Sequence, residues 1–125
     1  MAMNEQIIET MNDFFAERIA GCEQRGRELS ADDRGDEAVN EKVRANIYDV
    51  FRTVLSAAVK AGRGDAKAVR SFFGERLEVI PAGWAASYEK AREHDDAVKM
   101  QIEKIKLDAV EEIREYFSKV WEEEQ

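Results

Sequence analysis

The fold is decided by residues 98–120, VKMQIEKIKLDAVEEIREYFSKV. Apolar side chains recur there at steps of 4, 3, 4, 4, 3 and 4 residues: Val98, Ile102, Ile105, Ala109, Ile113, Tyr116 and Val120. This spacing keeps all of them on one face of an α-helix, because a helix turns once in about 3.6 residues. We therefore predict a long amphipathic helix of about 27 residues at the end of the chain.

The same period predicts two long helices upstream. The first follows Asn4, a predicted N-cap, and carries Ile8, Met11, Phe15, Ile19 and Cys22. The second carries Val39, Val43, Ile47, Val50, Val54 and Ala58. We expect the first helix to weaken over residues 21–30, because Gly21 and Gly26 disfavour helix there. The second should stop at Gly62 or Gly64, since glycine accepts the left-handed conformation that closes helices.

Two short helices are predicted between the second and the last long helix. One runs from about Asp65 to Leu77 and ends near residues 79–80, because Pro81 disfavours the helical conformation of the residue before it. The other begins at Pro81 and carries Trp84, Tyr88 and Ala91. No stretch alternates with a period of two, so no sheet is predicted. The sequence thus predicts an all-α bundle of three long helices plus two short ones, in a single domain over residues 1–125.

The tripeptide RGD occurs twice, at residues 34–36 and 63–65. Both copies fall where one helical pattern ends and the next begins. In each copy we expect glycine to supply the turn and the aspartate, Asp36 or Asp65, to cap the following helix. The arginine should bond carbonyl groups at the end of the preceding helix. Adhesion motifs need an exposed extracellular loop, and nothing in the sequence indicates export, so we interpret both copies as turn chemistry.

Composition limits the class of protein. The single cysteine, Cys22, excludes a disulfide framework within the chain and a zinc site built on several thiolates. The N-terminal residues show no basic segment leading into an apolar core, so no secretory signal is predicted. The longest apolar stretch, residues 54–59, is far shorter than the roughly 20 residues of a membrane span. We therefore expect a cytoplasmic protein.

The net charge of -8 argues against a general nucleic-acid binder, since cation density drives binding to phosphate backbones. Charge is nevertheless uneven: six basic residues stand against two acidic ones between Arg52 and Arg76, and seven acidic against two basic from Asp108 onward. We interpret the two regions as complementary faces of one folded body or of its dimer. The alternative is a nucleic-acid-associated regulator, or an anion binder, that uses Lys60, Arg63, Lys67, Arg70 and Arg76.

Catalytic and metal-binding signatures are missing from the sequence. The only histidine, His94, stands beside Glu93, Asp95 and Asp96, but consecutive helical residues point to different sides and do not converge on one ion. Asp95 or Asp96 is better interpreted as the N-cap of the last helix. We predict no catalytic residue, no metal and no cofactor, and disfavour an enzyme. The alternative is a small-ligand binder or enzyme with a pocket near Trp84, Tyr88 and His94.

The main functional expectation is a small helical interaction or structural module that forms a homo-oligomer, with a dimer as the commonest form. It rests on apolar residues that widen the helical stripes: Ile7, Phe14, Leu55, Val59, Val110, Phe117 and Trp121. A thin bundle does not obviously need them. We therefore expect them to pack against a partner, either a second copy or another protein, and we expect no membrane contact.

Overall fold

In the computed structural model, the chain forms four α-helices. The structure describes the backbone of residues 2–123 and the side chains of residues 5–122. The helices are α1 (Ala2–Ala31), α2 (Gly35–Gly62), α3 (Ala66–Glu93) and α4 (Ala97–Glu123). The predicted all-α class is confirmed. The predicted count of three long helices plus two short ones is wrong, because all four helices are long.

The error lies in α3, which runs unbroken through Pro81. Proline has no N–H, so the carbonyl group of Leu77, four residues earlier, loses its usual helical donor. Arg114 of α4 supplies a donor instead: its Nη2 donates to the oxygen of Leu77 at 2.9 Å. An internal proline costs the helix one hydrogen bond and also brings its ring against the carbonyl group four residues earlier. The neighbouring helix α4 removes the first of these penalties, and α3 continues to Glu93.

Helix α1 is longer at both ends than predicted. It begins at Ala2, so that the predicted N-cap Asn4 lies inside it, and it continues through both glycines to Ala31. Packing against the first half of α2 supports this extension, since Arg25 Nε donates to Glu41 Oε1 at 2.9 Å. Helix α2 ends at Gly62, as predicted, and α4 has the predicted length of 27 residues.

Turns of three residues join the helices, at 32–34, 63–65 and 94–96. Each contains a non-glycine residue in the left-handed region: Asp33 at φ 59, Arg63 at φ 48 and Asp95 at φ 54. Connections this short leave consecutive helices antiparallel. The bundle therefore has an upper end, with the turns 32–34 and 94–96, and a lower end, with the turn 63–65.

Both RGD copies lie at turns, but only the second has the glycine and aspartate roles that we predicted. The predicted role of the arginine is wrong in both copies, because the Arg34 side chain donates to Glu37 and the Arg63 side chain makes no hydrogen bond within the described residues. In the second copy Arg63 and Gly64 are left-handed, at φ 48 and 85, and Asp65 is the N-cap whose Oδ1 accepts from the N–H of Lys67 at 3.0 Å. In the first copy Arg34 occupies the N-cap position and residues 35 and 36 already belong to α2. The same tripeptide thus stands at two different positions relative to the start of a helix.

The core is aromatic and shared by all four helices. Helix α2 contacts the other three helices, whereas α1 meets α4 only along a narrow seam. Phe15, Phe51 and Phe73 are fully buried. The ring centroid of Phe73 lies 6.4 Å from that of Phe15, 6.2 Å from that of Phe51 and 5.0 Å from that of Phe117 on α4. Among the described residues, no helix has the length and apolar character needed to cross a membrane.

The residues expected to pack against a partner chain lie in the core of their own chain. Six are buried: Ile7, Phe14, Leu55, Val110, Phe117 and Trp121. Val59 is partly buried against the same core. The wider apolar stripes are needed within the monomer because α2 contacts three neighbours at once. These residues therefore give no support to oligomerisation, and any interaction surface must be sought elsewhere.

Candidate functional site

A furrow with a volume of about 740 Å³ lies between the upper halves of α1 and α2. Its floor consists of small or apolar residues: Ile19, Cys22, Gly26, Ala38 and Ala45. Cys22 and Ala38 are buried, and the other three are half-buried. Because four of these five residues are small, they leave a space between the two helices that side chains from another molecule can enter.

A second space, of about 520 Å³, lies at the lower end, where α1, α2, α3 and α4 all contribute to its lining. The apolar lining is Ile8, Val59, Ala66, Val69 and Trp121, and the acidic border along α1 is Glu5, Glu9 and Asp13. All three acidic side chains are exposed. This space combines an apolar surface with negative charge on one side.

The two spaces open on the same side of the α1 and α2 pair. At about 100° per residue, the α1 residues that line the upper space, from Ile19 to Ser30, span an arc of about 140°. Those that line the lower space, from Glu5 to Asp13, span about the same, and the two arcs overlap by about 100°. The α2 residues that line the two spaces, from Ala38 to Val59, fall within an arc of about 140° by the same measure. We call this side of α1 from Glu5 to Ser30, and of α2 from Ala38 to Lys60, the α1–α2 face.

Seven exposed charges on the α1–α2 face have no ion pair within the described part of the chain. On α1 they are Glu5, Glu9, Asp13, Glu23 and Arg27, and on α2 they are Lys42 and Lys60. Glu5 and Glu23 are 18 residues apart, and so are Lys42 and Lys60. This separation equals five whole turns, so the members of each pair point in the same direction about 27 Å apart along the axis. The face thus carries a mainly acidic row of unpaired charge on α1 and a basic row on α2, and two of the acids have the same separation as the two lysines.

Beneath the face, the buried carboxylate of Glu41 ties α1 to α2. Its Oε1 accepts from Arg25 Nε at 2.9 Å, and its Oε2 accepts from Arg44 Nη1. Burial favours the neutral acid, but the hydrogen bonds from Arg44 and Arg25 outweigh burial and lower the pKa of Glu41. Burial also raises the pKa of the neighbouring Cys22 thiol, which makes this thiol unreactive. These groups are fully engaged within the chain and form the base of the face.

The opposite side of α1 is closed by contacts within the chain. Arg18 Nε donates to Glu112 Oε1 of α4 at 2.6 Å, and the Tyr48 hydroxyl donates to the same oxygen at 3.0 Å. Burial and this hydrogen bond raise the pKa of Tyr48, so the phenol stays neutral and remains a donor. The ring of Phe14 stacks on that of Tyr116 with 4.2 Å between centroids. The polar and aromatic side chains along the contact between α1 and α4 are therefore already paired within the chain.

The basic residues predicted as a nucleic-acid or anion surface lie at the lower end, but they do not all face one way. The unpaired residues within the described chain are Lys60, Arg63, Lys67 and Arg70. Arg76 lies about 120° around α3 from Arg70, at about 100° per residue. It covers the ring of Phe72 at 4.8 Å and lies 3.6 Å from Glu75 Oε1. A nucleic-acid role for these residues remains a prediction.

Of the three residues predicted around a ligand pocket, two lie together. Trp84 and Tyr88 are one turn apart on α3, whereas His94 is the C-cap of that helix, about 15 Å from Trp84 along the axis. The ring of Trp84 is partly buried, with its centroid 6.5 Å from that of Phe51, and Lys106 Nζ lies 5.6 Å from it. Ligand binding by Trp84, Tyr88 and His94 remains a prediction.

The carboxylates near His94 serve the backbone. Asp96 Oδ1 accepts from the N–H of Lys99 at 3.2 Å, which confirms the predicted N-cap role for one of the two aspartates. Asp95 takes the left-handed conformation of the turn. Across the residues that the structure describes, no three His, Cys, Asp or Glu side chains lie close enough to hold a metal ion.

The α1–α2 face was not predicted from the sequence, because α1 was expected to weaken after Gly21. The available signals were the two 18-residue separations, Glu5 to Glu23 and Lys42 to Lys60. They become meaningful only when α1 reaches Ala31 and lies antiparallel to α2.

Comparison with known proteins gives no match: no family model, no curated protein and no solved structure resembles the chain.

Proposed function

We propose that the chain is a small helical interaction module that self-associates through the α1–α2 face. The observation that carries this proposal is the face itself, with its floor of mainly small residues and its unpaired charges, which are mainly acidic on α1 and basic on α2. It is about 40 Å long and two helices wide, which gives roughly 800 Å². That area matches what one partner contributes to an interface of standard size.

A second copy of the chain is the partner that best fits the charges. The acidic row lies on α1 and the basic row on α2, so a copy facing this surface can offer lysines to the glutamates and glutamates to the lysines. A reducing compartment such as the cytoplasm is part of the proposal. It is supported by the single cysteine, whose thiol is buried.

The mass of the chain in solution tests this proposal. Native mass spectrometry and sedimentation over a range of concentrations should show a dimer. Asn46→Cys, modified with a polyethylene glycol maleimide, places a bulky chain on the face and should give a monomer. The matched control is Gln101→Cys on α4, also exposed, whose modified form should remain a dimer. Cys22 is buried and should escape the reagent. A wild-type chain that stays monomeric at about 1 mM would contradict the proposal.

A further inference from the structure

We infer that the two copies are related by a twofold axis parallel to the helices, with Glu23 facing the partner's Lys42 and Glu5 facing the partner's Lys60. This arrangement rests on the proposed self-association and specifies its geometry. It is argued from the positions of the four charges and from the antiparallel packing of α1 and α2.

The heights of the charges along the bundle match. Because the turn at 32–34 reverses the chain, residues of α1 and α2 that are equally far from its centre lie level, as Arg25 and Glu41 do. Glu23 is then level with residue 43 and Glu5 with residue 61. Lys42 and Lys60 each differ from these positions by one residue, about 1.5 Å along the axis. Acidic and basic residues thus occur at the same two heights.

A twofold axis parallel to the helices keeps these heights and exchanges the two sides of the face. It lays α1 of one copy on α2 of the other, and these helices run antiparallel because α1 and α2 are antiparallel within each chain. The dipoles of these two helices then point in opposite directions, which is favourable. Glu5 and Glu23 each meet an unpaired lysine, and the mainly acidic row of α1 lies opposite the basic row of α2. The face is therefore complementary to itself in charge, as an isologous interface requires.

The other simple arrangement is disfavoured by charge. A twofold axis that crosses the helices within the interface would lay α1 on the partner's α1 and α2 on the partner's α2. The four unpaired acids of α1 would then face the same four acids, with Arg27 as the one unpaired cation among the described residues of that row, and the lysines of α2 would face lysines. A slip by one helical turn, about 5.4 Å, would also separate the pairs of the parallel arrangement. The charges of the two rows therefore favour the parallel axis, and the two glutamate–lysine pairs fix its register.

Charge reversal with mixing in trans tests this arrangement. Glu23→Lys alone sets lysine against the partner's Lys42, and Lys42→Glu alone sets glutamate against the partner's Glu23. Each variant should self-associate at least about tenfold more weakly than the wild type. In a heterodimer of the two variants both contacts again join opposite charges, whereas within each single chain residues 23 and 42 keep like charges. The mixture should therefore recover nearly the wild-type affinity.

Native mass spectrometry with one variant labelled with ¹⁵N distinguishes the heterodimer from either homodimer. Matched controls are Glu17→Lys, on a different side of α1, and Lys67→Glu on α3; both side chains are exposed and unpaired within the described chain. Neither control should change self-association. If the wild type dimerises but the reversals have no effect, or if mixing restores nothing, this arrangement is overturned and the proposed self-association stands. If the wild type does not dimerise, both are overturned.

Discussion

Arg114 of α4 supplies the hydrogen-bond donor that α3 lacks at Pro81. Its Nη2 donates to the oxygen of Leu77 at 2.9 Å, and its Nη1 donates to Glu111 Oε2 at 2.7 Å. Its Nε lies 3.4 Å from Glu78 Oε1. Both glutamates are largely exposed, so those ion pairs contribute little to stability. The bond to the Leu77 carbonyl is the one that no other group of the helix can replace.

We expect Arg114→Met to destabilise the protein by about 1–3 kcal/mol, because it leaves the Leu77 carbonyl without a donor. Urea unfolding followed by circular dichroism measures this free energy of unfolding. Arg92→Met is the matched control: Arg92 is exposed, and its side-chain hydrogen bonds run to Glu89 of the same helix. This control should change the free energy by less than about 0.5 kcal/mol.

A double-mutant cycle with Pro81→Ala separates the carbonyl from the other contacts of Arg114. In that background the backbone at position 81 regains an N–H that can donate to the Leu77 carbonyl, so Arg114→Met should cost about 1 kcal/mol less than in the wild type. Equal costs in both backgrounds would show that Arg114 stabilises through its ion pairs or its packing alone.

At the scale of the helix, α3 shows where prediction from sequence fails. The helical period is visible on both sides of Pro81, but local rules place a helix boundary at the proline. The donor that keeps the helix continuous comes from Arg114, 37 residues from Leu77 along the chain. No local pattern contains that contact. Helix α4, whose stabilising face is periodic throughout, has the length that its sequence predicts.

The two RGD copies allow the capping role to be measured by comparison. Asp65→Ala should cost about 1 kcal/mol, because it removes the oxygen that accepts from the N–H of Lys67. Asp65→Asn keeps an accepting oxygen and should cost little. Asp36→Ala should cost less than Asp65→Ala, since Asp36 lies in the first turn and acts only through its charge on the helix dipole. Thermal and urea unfolding measure all three. Equal losses at residues 36 and 65 would contradict these assignments.

At the scale of the whole molecule, the sequence predicts which residues are apolar but not which surfaces remain open. Phe117 and Trp121 were expected to meet a partner, and they are buried because α3 packs over α4. In the sequence, Glu23 and Lys42 are indistinguishable from ordinary surface charges. Their relation depends on the antiparallel register of α1 and α2, which the sequence does not state. The candidate face could therefore be recognised only from the assembled bundle.

Burial is unequal along the bundle. Next to the upper turns, the buried residues are small or charged: Ala38, Glu41, Ala91 and Glu103. The fully buried large side chains Phe51, Leu55 and Phe73 lie nearer the lower end. Since apolar burial is the main stabilising term, the upper end should open locally while the lower end stays closed.

Amide hydrogen exchange should resolve this difference. Amides of residues 85–93 on α3 should exchange at least about tenfold faster than those of residues 69–79 on the same helix. Leu55→Ala provides the decisive comparison, because it should lower the free energy of unfolding by about 2–5 kcal/mol through the lower core. The amides of residues 69–79 exchange by global unfolding, so their exchange rates should rise by the factor that corresponds to the full loss of unfolding free energy. The amides of residues 85–93 exchange by local opening, so their rates should hardly change. Equal acceleration at both ends would mean that the bundle opens as one cooperative unit, and that the unequal burial has no counterpart in local stability.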